Sequence, residues 1–178
     1  MDIKKIKTPL TDDIIKGLKS GDRVLLSGIV YTARDAAHER IVRLIKERKE
    51  LPFDLKGQII YYVGPTPSKP DRIIGSAGPT TAGRMDSFTP YLLDKGLKGM
   101  IGKGFRSKEV VESIKTNCSV YFAATGGAAA LLAQHIVSCE IIAYEDLGCE
   151  AIRKLEVKDL PLVVINDAFG NNFYKTKP

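Results

Sequence analysis

Two hydrophobic patterns alternate along this chain. Short runs rich in β-branched residues, such as residues 23–32, predict buried strands. After that run, apolar residues recur every three or four positions, which predicts an amphipathic helix with a stripe of Ala37, Ile41, Leu44 and Ile45. Asp35 is the predicted N-cap of this helix, and Pro52 requires the helix to end by about residue 50.

The same two patterns continue along the rest of the sequence. Further strands are predicted at residues 58–63, 99–102, 119–125, 140–144 and 162–165. Further helices are predicted at residues 91–98, at residues 107–116 with Ser107 as the cap, and at residues 128–136, a segment apolar enough to be buried. Alternating strands and helices indicate an α/β fold. Without repeats or low-complexity linkers, residues 1–178 are predicted to form a single domain.

Composition narrows the range of partners. The chain has 178 residues and a formal net charge of +6 at pH 7. Its basic residues are mixed with acidic ones and are not interleaved with aromatic residues, which argues against a nucleic-acid partner. A small anionic substrate explains a positive site equally well. No apolar run approaches the roughly 18–20 residues that span a bilayer, and no apolar signal segment is present, so we expect a cytoplasmic protein without membrane attachment.

The three cysteines do not suggest a metal site. Cys118, Cys139 and Cys149 are widely spaced, and none of them belongs to a C-x-x-C pair. Cys118 and Cys139 lie beside apolar runs, where a buried and unreactive thiol is the expected state. We therefore predict no metal site within this chain.

The first loop with functional potential follows the strand at residues 23–32. Arg34 lies just before the predicted helix, where a positive charge opposes the helix dipole. One hypothesis is that an anion is shared between Arg34 and the start of the helix. The alternative is that Arg34 pairs with Asp35 or another neighbouring carboxylate. Sequence position alone favours neither hypothesis.

Two further glycine-containing loops carry polar or cationic side chains. Residues 78–86 combine Thr80, Thr81 and Arg84, which offer hydroxyl groups and a guanidinium to a ligand. The alternative is a tight turn in which a threonine merely caps the next helix. In the second loop, Lys103 lies between two glycines and can present its ammonium to an anion, or be a solvated loop lysine. His38, one turn after Arg34, is close enough to support a site, whereas a buried structural role is expected for His135.

At these same loops the sequence resembles the C-terminal domain, or separate β subunit, of class I fumarases and the related L-tartrate dehydratases. The matching stretches are S-G-I-V-Y-T-A-R-D-A-A-H around Arg34, G-P-T-T-A-G-R-M-D around Arg84, G-K-G around Lys103, and Y-F-A-A-T-G-G-A-A-A-L-L from Tyr121. The resemblance covers about residues 10–174. It implies a layered β/β/α "swivelling" domain with a mixed sheet and flanking helices.

The resemblance also implies a cofactor and a partner. In this family a 4Fe–4S cluster is held by three cysteines of the other domain or subunit, and one iron is free to act as a Lewis acid on the leaving hydroxyl group. A cluster-bearing α subunit is therefore expected, in an assembly of two α and two β subunits. The expected reaction is the reversible hydration of fumarate to L-malate. The alternatives are dehydration of L(+)-tartrate and a stand-alone dicarboxylate-binding module.

By the same resemblance, Arg34, Arg84 and Lys103 contact the substrate carboxylates, and Thr80 lies near the carbon that loses its proton. A neutral threonine hydroxyl is a poor base, so Lys103 in its neutral form, or Thr81 in place of Thr80, stays an alternative. The residues expected to support these groups from beside or behind are Thr81, His38, Asp35 and Asp86.

Overall fold

The computed structural model describes residues 2–124 and 129–175. Its strands are β1 (Lys4–Lys7), β2 (Arg23–Thr32), β3 (Ile59–Tyr61), β4 (Gly99–Gly102), β5 (Val120–Ala123), β6 (Ile136–Ala143) and β7 (Ile152–Asn166). Its α-helices are α1 (Asp12–Lys16), α2 (Asp35–Lys46), α3 (Thr89–Asp94), α4 (Lys108–Thr116) and α5 (Ala129–Ala133). Short 3-10 turns cover Ala82–Met85, Glu145–Glu150 and Phe173–Lys175. Among the described residues, none of the helices is long and apolar enough to cross a bilayer.

The seven strands form one mixed sheet. Strands β1 to β5 are parallel neighbours in sequence order, whereas β7 is antiparallel to both β5 and β2. Because β7 pairs with both, the strands β2, β3, β4, β5 and β7 close into a ring. Strand β6 pairs with the first part of β7, outside the ring. The mixed sheet with flanking helices confirms the predicted fold class.

Alternate residues of the ring strands enter two different cores. On β3, Ile59 and Tyr61 join one core with apolar residues from the other ring strands, from β1 and from α1. Ile60 and the following Tyr62 point the other way, into a core covered by α2, α3 and α4. Such alternation is the normal consequence of strand geometry. The ring is therefore packed on both faces, which holds the ends of β2, β3 and β4 in fixed positions.

Several predicted elements agree with the structure. The bounds predicted for β2 and β4 are those observed. Helix α4 begins after Ser107, whose hydroxyl accepts a hydrogen bond from the Val110 amide, as a capping residue should.

The predicted cap of α2 was wrong. Arg34 occupies the N-cap position, and its side chain makes no capping bond. Asp35 is the first helical residue, and its carboxylate points to two arginines instead of to the helix amides. The ion pairs of Asp35 therefore outweigh a capping role.

The helix predicted at residues 128–136 was also wrong in extent and burial. Helix α5 covers only Ala129–Ala133, Leu131 is 62% exposed, and Ile136 already belongs to β6. Ala128, and the predicted end of the preceding strand at Thr125 with the two glycines after it, lie outside the described residues.

Strand β7 is much longer than the predicted residues 162–165. Its buried apolar side chains alternate only in parts, because Ile152 and Leu155, and likewise Val157 and Leu160, are three positions apart, and Pro161 lies within the strand. Both features lower the sequence signal for a strand. Strands β6 and β7 were thus predicted only in part, and strand β1 and helix α1 were not predicted at all.

Candidate active site

Three loops meet where the parallel strands β2, β3 and β4 end. The Thr80 amide donates to the carbonyl of Tyr62, just after β3, at 2.7 Å. The Lys103 amide, just after β4, donates to the Thr80 carbonyl at 3.2 Å, and the Ala82 amide donates to the Lys103 carbonyl at 2.8 Å. The threonine loop is therefore bonded along its backbone to the lysine loop. In this arrangement Thr81 lies directly opposite Lys103.

Two glycines allow the loops to approach this closely. A Cβ atom on Gly102 would lie 3.0 Å from the Cβ of Ala82 and 3.0 Å from the Tyr62 ring. A Cβ atom on Gly64 would lie 2.8 Å from the Arg34 Nη1 atom. A side chain at either position would therefore require its neighbours to shift: Ala82 and Tyr62 by a few tenths of an ångström at Gly102, and the Arg34 guanidinium at Gly64.

Arg34 and Arg84 are linked through Asp35. The Arg84 Nε donates to one oxygen of Asp35 at 3.0 Å, and the Arg34 Nη2 lies 3.7 Å from the other. The same Nη2 lies 3.4 Å from the Glu150 Oε1 atom. The Arg34 side chain is 19% exposed and that of Arg84 is 51% exposed. Two cations that the sequence assigned to carboxylate binding are thus brought together at the surface.

Glu150 also reaches the start of α2. Its Oε2 atom accepts a hydrogen bond from the Ala36 amide at 2.9 Å. Arg34 is thus paired with Asp35 and with Glu150, as the second hypothesis predicted. Glu150 is also an anion shared between Arg34 and the start of α2, although it belongs to the protein and is not a ligand. Sequence analysis missed Glu150 because it lies 114 positions after Ala36. No local pattern could have revealed the contact.

Some polar atoms of this group are buried without hydrogen bonds. The Arg34 Nε and the Asp35 Oδ2 have no hydrogen-bond partner among the described residues. A buried donor of this kind is costly unless something accepts from it. The hydrogen bonding of the Arg34 guanidinium is therefore incomplete.

Lys103 and the threonine hydroxyls are also available. Lys103 and Thr81 are exposed, and Thr80 is half-buried. Within residues 2–124 and 129–175, no side-chain partner is found for the Lys103 ammonium, nor for the hydroxyl of Thr80 or Thr81. The threonine loop and the lysine loop therefore carry two hydroxyl groups and one ammonium that are not bonded to neighbouring side chains.

His38 supports the Arg34 turn from inside the protein. It is fully buried, with its ring against Tyr62 and Phe88. Its Nδ1 lies 2.8 Å from the Arg34 carbonyl, and because a carbonyl oxygen only accepts, Nδ1 carries the hydrogen. Burial lowers the pKa of His38 to about 4. The imidazole is therefore neutral near pH 7 and holds the backbone that carries Arg34.

Asp86 lies away from the loop surface, in a second ion pair. It accepts from the Arg106 Nε at 2.7 Å and from the Ser107 amide at 2.6 Å. The Arg106 side chain is completely buried, and it also donates to the Thr89 hydroxyl at 2.7 Å. Sequence analysis missed Arg106 because nothing in its neighbourhood distinguishes a buried arginine from a solvated one. This pair anchors the base of the threonine and lysine loops.

The described residues do not fit an iron–sulfur cluster. No three His, Cys, Asp or Glu residues among them are placed to hold a metal ion. Cys118 and Cys139 are partly buried, Cys149 is exposed, and all three are free thiols on separate elements. Burial raises the pKa of the Cys118 and Cys139 thiols, which disfavours the thiolate form that metals require.

The residues that meet at this edge are those of the stretches that resemble the fumarases. The family model described as "Fumarase C-terminus" matches residues 2–177. This chain belongs to the fumarase C-terminus family. The match confirms the resemblance that the three loops carry, and it extends that resemblance to residues 2–177.

Individual relatives differ in how much of their length the chain covers. It is 41% identical over 155 residues to "Fumarate hydratase class I, anaerobic" of Escherichia coli (strain K12), and it is 39% identical over 156 residues to "Fumarate hydratase 2" of Leishmania major. Each alignment covers 86% of this chain and 28% of the relative. It is 40% identical over 172 residues to "Putative L(+)-tartrate dehydratase subunit beta" of Methanocaldococcus jannaschii, covering 93% and 88% respectively. This fumarase C-terminus protein thus spans little more than a quarter of those fumarate hydratases and most of that β subunit.

Proposed function

We propose that this chain is the β subunit of a hydro-lyase that interconverts fumarate and L-malate, and that it works with a larger α subunit that carries a 4Fe–4S cluster. The observation that carries the proposal is the meeting of Arg34, Arg84, Lys103 and the two loop threonines at one edge of the sheet. A separate partner is supported by the relative named as a subunit beta, of which this chain covers 88%.

The charges at this edge suit a dicarboxylate. Arg34, Arg84 and Lys103 contribute three positive charges, and Asp35 and Glu150 contribute two negative ones, which leaves one positive charge (3 − 2 = 1). Guanidinium and ammonium groups bind carboxylates through charge-assisted hydrogen bonds that also orient them. A C4 dicarboxylate has two such groups, so it can be held at both ends.

The same cations favour removal of a proton next to a carboxylate. Negative charge develops on that carboxylate as the proton leaves, and fixed cations aimed at it lower the barrier. In the proposal, Thr80 lies beside the reacting carbon and takes its proton as an alkoxide, which neighbouring positive charge stabilises once the hydroxyl proton has passed to solvent; the hydroxyl is re-formed as the carbon loses its proton. Lys103 and Thr81 are the alternatives, and Thr81 is the threonine that lies opposite Lys103.

The proposed cluster belongs to the partner subunit, because the cysteines of this chain do not fit it. It would supply a Lewis-acidic iron for the hydroxyl group of malate. The contribution of this chain is to bind the carboxylates, to orient the substrate and to handle the proton. The proposed assembly contains two α and two β subunits.

The proposal is tested by reconstitution. The chain is co-expressed with its candidate partner, iron and sulfide are added without oxygen, and fumarate hydration is followed by absorbance. We expect activity from the complex and none from either subunit alone. A complex that binds its cluster but converts neither fumarate nor tartrate would contradict the proposal.

The threonines are distinguished by matched variants of the assembled complex. Thr80→Val removes a hydroxyl at nearly constant volume, and we expect kcat to fall about 10²- to 10⁴-fold, the usual contribution of a proton-transfer group. Thr81→Val is the control and should keep most of the activity. If Thr81→Val alone loses activity, the role belongs to Thr81.

A second candidate function is dehydration of L(+)-tartrate. It is favoured by the 88% coverage of the relative named as a tartrate dehydratase subunit beta. The ratio of kcat/KM for malate and for L(+)-tartrate in the reconstituted complex decides between the two. A chain that binds dicarboxylates but never associates with the partner would instead favour the stand-alone binding module.

A further inference from the structure

The Glu150 carboxylate contacts both Arg34 and the start of α2. Its Oε1 lies 3.4 Å from the Arg34 Nη2, and its Oε2 accepts from the Ala36 amide at the start of α2. The Glu150 side chain is only 21% exposed. A guanidinium and a free helix amide are the two groups that bind an external carboxylate most readily.

The turn that carries Glu150 is held from two sides, so this contact is built into the fold. Arg153, on β7, donates to the carbonyl of Cys149 at 3.1 Å and to that of Gly148 at 3.0 Å. Arg40, on α2, donates to Asp146 at 2.9 Å. The Glu145–Glu150 turn is thereby fixed both to the sheet and to the helix whose first turn Glu150 contacts.

Arg34 is nevertheless not saturated by its two carboxylates. The distances to Asp35 and Glu150 are 3.7 and 3.4 Å, longer than a good charge-assisted hydrogen bond. Its buried Nε–H has no hydrogen-bond partner among the described residues. An incoming carboxylate can therefore compete with Glu150 for the loosely held Nη2, while the buried Nε–H leaves the guanidinium short of one hydrogen bond.

We propose that Glu150 is a positioning residue that competes with the substrate carboxylate for Arg34 and so limits how tightly the site holds a dicarboxylate. The inference rests on the proposed function, since it assumes that Arg34 binds substrate. Glu150 acts through Arg34 and the start of α2, and it leaves one net positive charge facing a doubly charged ligand. Weaker binding of that ligand allows the product to leave.

The decisive variant is Glu150→Gln. Its amide oxygen still accepts from the Ala36 amide, so α2 keeps its contact, while the negative charge beside Arg34 is removed. Glu145→Gln is the matched control, because Glu145 is an exposed residue of the same turn and the substitution removes the same charge. If Glu150 did not compete with the ligand for Arg34, the two variants would bind succinate equally tightly.

The test is a titration with succinate, an unreactive C4 dicarboxylate, into the full chain and into its complex with the partner. Binding is followed through the Ala36 amide signal by NMR in the chain and by calorimetry in the complex. We expect Glu150→Gln to bind succinate about five- to tenfold more tightly than wild type, because one repelling charge a few ångströms away is removed. Glu145→Gln should bind as wild type does, and both variants should unfold at the wild-type temperature.

Equal or weaker succinate binding by Glu150→Gln, or no binding by any variant, would overturn the inference. The outcome is separable from that of the proposed function. If the complex hydrates fumarate but Glu150→Gln binds succinate as wild type does, only the role of Glu150 is wrong. If Glu150→Gln tightens succinate binding but the complex has no hydro-lyase activity, the reaction is wrong and the role of Glu150 stands.

Discussion

Two arginine–carboxylate pairs lie within the same group of loops, and they differ in how fully each arginine is bonded. Arg106 is completely buried, and all three of its nitrogens contact protein groups, including Asp86 at 2.7 Å and Thr89 at 2.7 Å. Arg34 is partly exposed, its carboxylate partners lie at 3.4 and 3.7 Å, and its Nε has no hydrogen-bond partner among the described residues.

The difference separates a structural arginine from one that can bind a ligand. A buried guanidinium with all three nitrogens bonded has little to offer an incoming carboxylate, and breaking its bonds would leave a buried charge unpaired. A guanidinium with an unused donor and loose ion pairs can exchange partners at little cost. Position in a loop does not distinguish the two cases, whereas the completeness of hydrogen bonding does.

The largest expected effect comes from breaking the buried pair. Arg106→Ala leaves the Asp86 carboxylate without its cation, and we expect the free energy of unfolding to fall by about 3–5 kcal/mol. Urea denaturation of the isolated chain measures this. Arg84→Ala is the matched control, since Arg84 is half-exposed and its ion pair with Asp35 should contribute about 1 kcal/mol or less. Equal destabilisation by the two variants would refute the comparison.

The second prediction concerns catalysis in the assembled complex, where the half-exposed Arg84 is expected to matter much more than it does for stability. Arg84→Ala should lower kcat/KM by an amount equivalent to about 2–5 kcal/mol, because a charge-assisted contact to the substrate is lost while folding stays nearly intact. Steady-state kinetics with fumarate measure it. Arg72→Ala removes an exposed arginine from another loop and should change nothing. Normal activity of Arg84→Ala would mean that its loop is structural too.

The smallest expected effect concerns the support of Arg34 by His38. Burial lowers the pKa of His38 to about 4 from 6.5, so the unfolded chain binds more protons than the folded one between these values. The contribution of His38 to stability is therefore complete above about pH 6.5 and is lost as the pH falls towards 4. A pKa change of this size corresponds to roughly 3 kcal/mol at most.

Denaturation between pH 4.5 and 7.5 tests this, with His38→Gln as the variant that cannot titrate. The difference in unfolding free energy between wild type and variant should shrink as the pH is lowered. A difference that stays constant with pH would mean that His38 is not kept neutral by burial.

Much of the fold was accessible from local patterns. The bounds of β2 and β4, and the capped start of α4 at Ser107, followed from β-branched composition, glycine positions and capping chemistry, all of which act over a few residues. Strand β7 was mostly missed because two three-residue spacings and Pro161 interrupt its apolar alternation. Helix α5 was overestimated because an apolar composition does not guarantee burial at the edge of the molecule.

The candidate site could also be predicted in part from the sequence. Glycine-flanked loops after predicted strands identified Arg34, Thr80, Arg84 and Lys103 as candidates, and the structure brings their loops to one edge. Asp86, expected to support these groups from beside or behind, pairs with Arg106 beneath that edge. The roles of these residues in binding and proton transfer stay predictions until the variants are measured.

The sequence by itself determined the bounds of β2 and β4, the start of α4 and the positions of the candidate loops, because these preferences depend on a few consecutive residues. Only the tertiary structure decided that β7 closes the ring, that Arg106 is buried, and that Glu150 lies against Arg34 and the start of α2. Each of these depends on contacts between distant segments, 114 positions apart in the case of Glu150 and Ala36. The physical reason is that the energy of a charge depends on its burial and partners, and these exist only once the chain has folded.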